Sequence, residues 1–184
     1  MADELIDILD KSGNPTGNVQ LKSKAHQLGL YHASAHIWFY TKDGQLLFQK
    51  RVDNKDTFPG LWDVSVAGHI GTGEKPIDAA VREIQEEIGL TVCNEDLDFI
   101  GIYLAEKKPK PYLFDNEFHH IYLAKLSVST DHLILQKEEV SDIKLIPISD
   151  FKNILKHSAL IKEFVPHDDV YYNLILTSIL DRLR

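Results

Sequence analysis

The chain has 184 residues and suits one domain with a short extension at either end. Its formal charge of -8 excludes it from the usual binders of a nucleic-acid backbone, and any phosphate chemistry would need metal ions or local basic residues. Cys93, the only cysteine, excludes an intrachain disulfide, and no run approaches the roughly eighteen apolar residues of a membrane span.

Residues 1–10 carry four acidic residues and no basic start to a signal peptide, so a cytoplasmic location is expected. Residues 5–9 read as a strand, followed by a turn at Lys11-Ser12-Gly13-Asn14-Pro15. Residues 34–40 and 45–50 read as strands joined by Lys42-Asp43-Gly44, where Asp-Gly is a hairpin signal. Residues 62–67 alternate as a further strand. A glycine-bearing loop over 68–73 leads into a helix over 76–88, with Pro76 in its first turn and Gly89 just past its end.

Residues 99–106, 117–126 and 143–147 follow as strands and 149–156 as a short helix. Residues 170–183 read as a terminal helix whose apolar members suit core packing. Many strands with few helices predict a layered α/β or α+β fold. There is no internal repeat or low-complexity linker, so the expectation is one domain over 1–184. A strand-and-turn extension would occupy 1–25 and a closing helix 168–184.

Along the helix at 76–88, Ile77, Ala80, Val81, Ile84 and Ile88 form one apolar stripe. Glu83, Glu86 and Glu87 share a different face at i, i+3 and i+4, where like charges destabilise the helix unless something neutralises them. Carboxylate oxygens suit a hard cation such as Mg²⁺ or Mn²⁺. Those three residues alone read as a solvated acidic face. The flanking residues reverse that reading: Gly68, five residues, Glu74, seven residues, then Arg82-Glu83-Ile84-Gln85-Glu86-Glu87-Ile88-Gly89-Leu90. A chance match to this pattern, G-x5-E-x7-R-E-U-x-E-E-x-G-U with U aliphatic, is on the order of one in ten million for such a chain.

This segment resembles the Nudix box. The resemblance implies a Nudix α/β/α sandwich with a central mixed sheet and a loop–helix–loop metal site. It implies that Gly68, Glu83, Glu86 and Glu87 hold Mg²⁺ or Mn²⁺, with Glu74 and Arg82 orienting those carboxylates. It further implies attack of a metal-activated water on a diphosphate linkage, with Glu86, Glu87, Glu138 or Glu139 as the base; the sequence does not choose among them.

The likeness extends to the isopentenyl-diphosphate isomerase branch through Gln49-Lys50-Arg51, the run from Pro59 to His69, Asp115-Asn116-Glu117 and Phe164-Val165-Pro166. In that branch a divalent metal is held by residues whose counterparts here are His26, His32, His69, Asp115 and Glu117. Three departures point away from isomerisation. Ala67 stands where the isomerases carry a catalytic cysteine, the box here is complete, and His167 replaces a carbocation-stabilising aromatic. The expected activity is therefore hydrolysis of a nucleoside diphosphate derivative, with isopentenyl-diphosphate isomerisation and a non-catalytic ligand-binding module as alternatives. The expected partner is a small-molecule diphosphate, with no nucleic acid and no membrane; the family often forms homodimers.

Lys50 and Arg51 are candidates for phosphate contact. His32 and His36 alternate with small residues and read as ligands or as core histidines. Only one of His119 and His120 can face a site, because adjacent strand residues point to opposite faces. Trp62 reads as core, and Tyr103, Tyr112 and Phe114 are candidates for stacking a nucleobase.

Overall fold

A computed structural model describes residues 3–184. Two strands, β1 (Leu5–Leu9) and β2 (Pro15–Leu21), form an antiparallel pair that runs into a short helix, α1 (Lys22–Leu28). The main sheet is built from β3 (His32–Tyr40), β4 (Gln45–Arg51), β5 (Trp62–Asp63), β6 (Val66–His69), β7 (Asp98–Lys110), β8 (Leu113–Lys125) and β9 (Val140–Pro147). Three more helices complete the fold: α2 (Pro76–Ile88), α3 (Ile148–Lys156) and α4 (Asp169–Arg182).

The sheet is mixed. β3 and β8 run parallel over a register from His32 with Glu117 to Tyr40 with Lys125, and the other pairings are antiparallel. Strand alternation sends Trp38, Tyr40, Phe48, Ile121 and Leu123 toward α3 and α4, where Phe151, Tyr171, Ile175 and Ile179 meet them. Ala35, Ile37, Phe39, Leu47, Val66 and Tyr122 face the other way, onto Ala80, Ile84 and Ile88 of α2. The result is helix, sheet, helix, in three layers.

The strand expected over 62–67 is two strands. β5 pairs with β4, and β6 pairs with β3. Between them the Ser65 hydroxyl donates to the Leu47 carbonyl at 2.6 Å and accepts the Phe39 amide at 2.8 Å. Ser65 thus stands between β3 and β4, whose one registered pair is Tyr40 with Leu46.

The turn expected at 11–15 joins β1 to β2, with the Asp10 carboxylate accepting the Ser12 and Asn14 amides. β2 and α1 themselves were not expected. β2 opens on a proline and is almost wholly exposed, and α1 has seven residues, too few for a helical stripe. β7 and β8 run further than expected, meeting in a hairpin near Lys110 and Leu113, because Lys107, Lys108, Pro109 and Lys110 lie on an edge strand, where charge and a proline are tolerated. No helix among the described residues is long and apolar enough to cross a membrane.

Candidate active site

Gly68 is the penultimate residue of β6, which ends at His69, and Pro76 starts α2. The loop between them is tied in several ways. The Gly71 amide donates to Glu74 at 2.9 Å, the Thr72 amide to the Leu5 carbonyl at 3.0 Å, and the Gly73 amide to Asp7 at 2.9 Å. The N-terminal strand therefore clamps the loop that leads into α2. Arg82 fastens the other side: it forks onto both oxygens of Glu74 at 2.9 Å and donates to the His69 carbonyl at 3.0 Å.

On α2, Glu83 and Glu87 are buried and Glu86 is exposed. Glu83 accepts from Arg82 at 2.7 Å and lies against Gly68 so closely that a Cβ there would stand 1.9 Å from its carboxyl carbon. Any side chain at 68 would displace this carboxylate. Burial, more than its Arg82 partner can offset, raises the Glu83 carboxyl above its ordinary range. Burial and the neighbouring Glu83 charge push Glu87 up to about 8. Two buried carboxylates with raised proton affinity are groups in want of a cation.

The histidines converge on the opposite side. β3 places His32, Ser34 and His36 on one face, β8 places Asp115, Glu117 and His119 beside them, and β6 adds Ala67 and His69. His26 Nε2 lies 3.1 Å from His69 Nε2, and Glu117 Oε1 lies 3.5 Å from His32 Nε2 and 3.4 Å from His69 Nε2. Ligand atoms of His26, His32, His69 and Glu117 fall within 4.8 Å of one another, and His32 Nε2 is buried without a hydrogen-bond partner. Burial lowers His69 to about 4, so its imidazole is neutral at physiological pH. Burial works against Glu117 ionising, but the imidazoles of His119, His32 and His69, each within 3.5 Å of its carboxylate, hold it well below the ordinary range. Asp115, 3.6 Å from His26, is pushed well above its range by burial and by Glu117.

Both groups line one cavity of about 760 Å³. Gly68, His69, Glu83, Glu86, Glu87 and Glu117 all contribute to its wall, as do Arg51, Glu138 and Glu139. Glu139 is buried in an ion pair with Lys55, and Glu138 is exposed. Glu74 and Arg82 stand behind the wall as supports.

Lys50 does not join them. It lies on the opposite strand face, 5.9 Å above the Trp62 ring, as alternation between Lys50 and Arg51 requires. Arg51 is itself committed, donating to Asp63 at 3.1 Å and twice to Thr57. The three aromatic candidates also lie outside the lining. Tyr103 bonds Asp168, Tyr112 is 84% exposed, and Phe114 packs near Gly29. Phe58 is the aromatic side chain other than histidine that lines the cavity.

Gln49, Lys55, Asp63 and Lys107 were not singled out as site residues by the sequence, whereas His36 and His119 were weighed as site histidines and His167 was noted in place of an aromatic; all three histidines line the cavity. His36 stacks on His119 with ring centroids 3.7 Å apart, and its Nδ1 lies 2.8 Å from the Tyr171 hydroxyl. His167 spans Lys107 at 3.2 Å and Asp63 at 3.3 Å. Burial lowers His167 to about 4. The usable signal for Gln49 was its parity with Arg51; Lys55 lies in a loop with no period.

A NUDIX domain model matches residues 30–168. The chain belongs to the Nudix family. It is 37% identical to Nudix hydrolase 3 of Arabidopsis thaliana over 91% of this chain, but spans only 22% of that protein. An uncharacterised Nudix hydrolase of Clostridium acetobutylicum is 32% identical and is matched over 98% of this chain and 99% of its own length. An isopentenyl-diphosphate delta-isomerase of Serratia proteamaculans is 34% identical over 66% of this chain and 65% of its own length. The crystal structure of a Deinococcus radiodurans protein shares the fold, with a TM-score of 0.65 at 18% identity over 93% of this chain and 97% of that one. The chain is thus a Nudix hydrolase related to the isomerases, of the class that cleaves diphosphate linkages.

Proposed function

We propose that this Nudix hydrolase cleaves a diphosphate linkage in a small organic diphosphate, with Mg²⁺ or Mn²⁺ on Glu83, Glu86, Glu87 and the Gly68 carbonyl. The observation that carries this reading is the Glu83 carboxylate seated against Gly68, with Glu87 buried beside it. The donor set fits a hard cation: carboxylate oxygens whose burial has raised their proton affinity. A bound divalent cation supplies charge neutralisation on the diphosphate and a lowered pKa for the attacking water.

The chain's own residues do the rest. Arg82 and Glu74 fix the loop and hold Glu83 in place. Arg51 and Lys55 line the wall on which an anionic substrate would lie, each paired with a carboxylate, Asp63 and Glu139. Glu86 and Glu138 are exposed and line the cavity, so either carboxylate can take a proton from water there. His26, His32, His69 and Glu117 would hold a further transition ion, for which neutral imidazoles are suited.

A nucleoside diphosphate derivative remains the first substrate class to test, with Phe58 in place of the expected aromatics as the stacking surface. The histidine set favours isoprenoid diphosphates as the second class. Isomerisation of such a compound needs a proton-carrying group at position 67, where Ala67 has none, and Cys93 is exposed and outside the cavity lining. The test is product analysis over nucleoside and isoprenoid diphosphates with Mg²⁺ or Mn²⁺. Hydrolysis products are expected; full activity retained in both Glu86→Gln and Glu87→Gln, or an allylic isomer as the main product, would overturn the proposal.

A further inference from the structure

Glu87 is the most deeply buried of the three α2 carboxylates, and one of its oxygens is already occupied. Oε2 accepts the Gln49 side-chain amide at 3.0 Å and the Ala67 backbone N–H at 3.2 Å. Two donors on one oxygen leave Oε1 as the atom to meet a cation. Gln49 is 2% exposed and sits on β4 between two partners, Asp63 of β5 and Ile143 of β9. Its backbone is therefore fixed from both sides. When Glu87 is ionised the Gln49 amide nitrogen must face it, because a flipped side chain would set a carbonyl oxygen against the carboxylate.

We propose that Gln49 is a positioning residue for metal binding: it holds Glu87 in the rotamer that presents Oε1 to the divalent cation. The inference rests on the metal-ligand role proposed for Glu87. Ala67 contributes through its main chain, which no side-chain change removes, so Gln49 is the part of this brace that the sequence can alter. A ligating carboxylate whose supporting donor is lost typically binds its metal ten- to hundredfold more weakly.

Gln49→Met keeps the length of the side chain and removes the donor. Mn²⁺ titration followed by electron paramagnetic resonance is expected to show about a tenfold to hundredfold loss of affinity and a broadened bound-ion spectrum. Unfolding of the metal-free protein should be close to wild type. The exchange variant Gln49→Glu with Glu87→Gln restores an amide–carboxylate bond in reverse, and it is expected to fold without recovering Mn²⁺ affinity. Glu87→Gln alone separates the two claims. If it binds Mn²⁺ like wild type, the ligand role of Glu87 fails. If it loses Mn²⁺ while Gln49→Met binds within twofold of wild type, the positioning role fails. Should Gln49→Met not fold, Gln49→Asn, which keeps a shorter donor, must show intermediate affinity; wild-type affinity there overturns the proposal.

Discussion

Arg82 grips Glu74 at two points, Nε to Oε1 and Nη2 to Oε2, both at 2.9 Å. The same guanidinium reaches the His69 carbonyl and Glu83, so one side chain joins the loop that precedes α2 to a carboxylate proposed as a metal ligand. Arg82→Lys keeps the charge but cannot fork. It is expected to weaken Mn²⁺ binding by about ten- to hundredfold. Because the Arg82 side chain is 34% exposed, its loss should lower stability by only about 1 kcal/mol. Metal titration and urea unfolding measure the two effects separately.

Gly68→Ala should be more severe for the metal than for the fold. The added Cβ would stand 1.9 Å from the Glu83 carboxyl carbon, so the carboxylate has to leave its seat. Calorimetric titration with Mg²⁺ or Mn²⁺ is expected to show no binding at the α2 site. Circular dichroism should show a helix and sheet content like wild type; unaltered metal affinity would remove Glu83 from the ligand set.

The raised Glu87 carboxyl has a consequence for pH. An unfolded glutamate titrates at about 4.3, whereas in the metal-free fold Glu87 is held at about 8. The folded state binds the extra proton, so this contribution to stability is complete below the unfolded value and is lost as pH rises toward 8. Melting of metal-free wild type from about pH 5 to pH 8 should therefore fall more steeply than that of Glu87→Gln. Saturating Mg²⁺ should stabilise wild type most at the upper end, where the carboxylate is ready to ligate.

The histidine group makes a separate prediction about stoichiometry. His32→Ala is expected to lower bound transition metal by one ion per chain, measured by elemental analysis after loading with Mn²⁺ or Zn²⁺. Glu87→Gln should leave that ion in place. Equal metal content in wild type and His32→Ala would show that His26, His32, His69 and Glu117 are a hydrogen-bonded cluster only.

The sequence showed most clearly what is periodic or locally spaced. The helix Pro76–Ile88 and the burial of Ala80, Ile84 and Ile88 follow from the apolar stripe, whereas the burial of Glu83 and Glu87 does not; the box residues gather because three and four residues make one helical turn. Asp115 and Glu117 share a strand face for the same kind of reason, as do Arg51 and Gln49. Position across the sheet was not legible in this way. The parallel register of β3 with β8 brings His32 to Glu117 and Ser34 to His119 across 85 residues of chain. His26 arrives on a seven-residue helix that has no stripe of its own, held by Asn116 donating to the Gly29 carbonyl. His167 enters from the approach to α4 and meets Asp63, a contact that depends on packing between layers. The phosphate role expected of Lys50 shows the same limit: both cations of the Lys50-Arg51 pair were candidates, and strand parity admits one.

Metal-dependent formation of the two monophosphate products of a diphosphate substrate, compared between wild type and Glu87→Gln, tests hydrolysis at the α2 carboxylates most directly. Turnover with Mg²⁺ or Mn²⁺ that disappears with chelator and drops by orders of magnitude in Glu87→Gln is the expected result. Hydrolysis that survives both the chelator and the substitution would contradict it and place the chemistry elsewhere in the molecule.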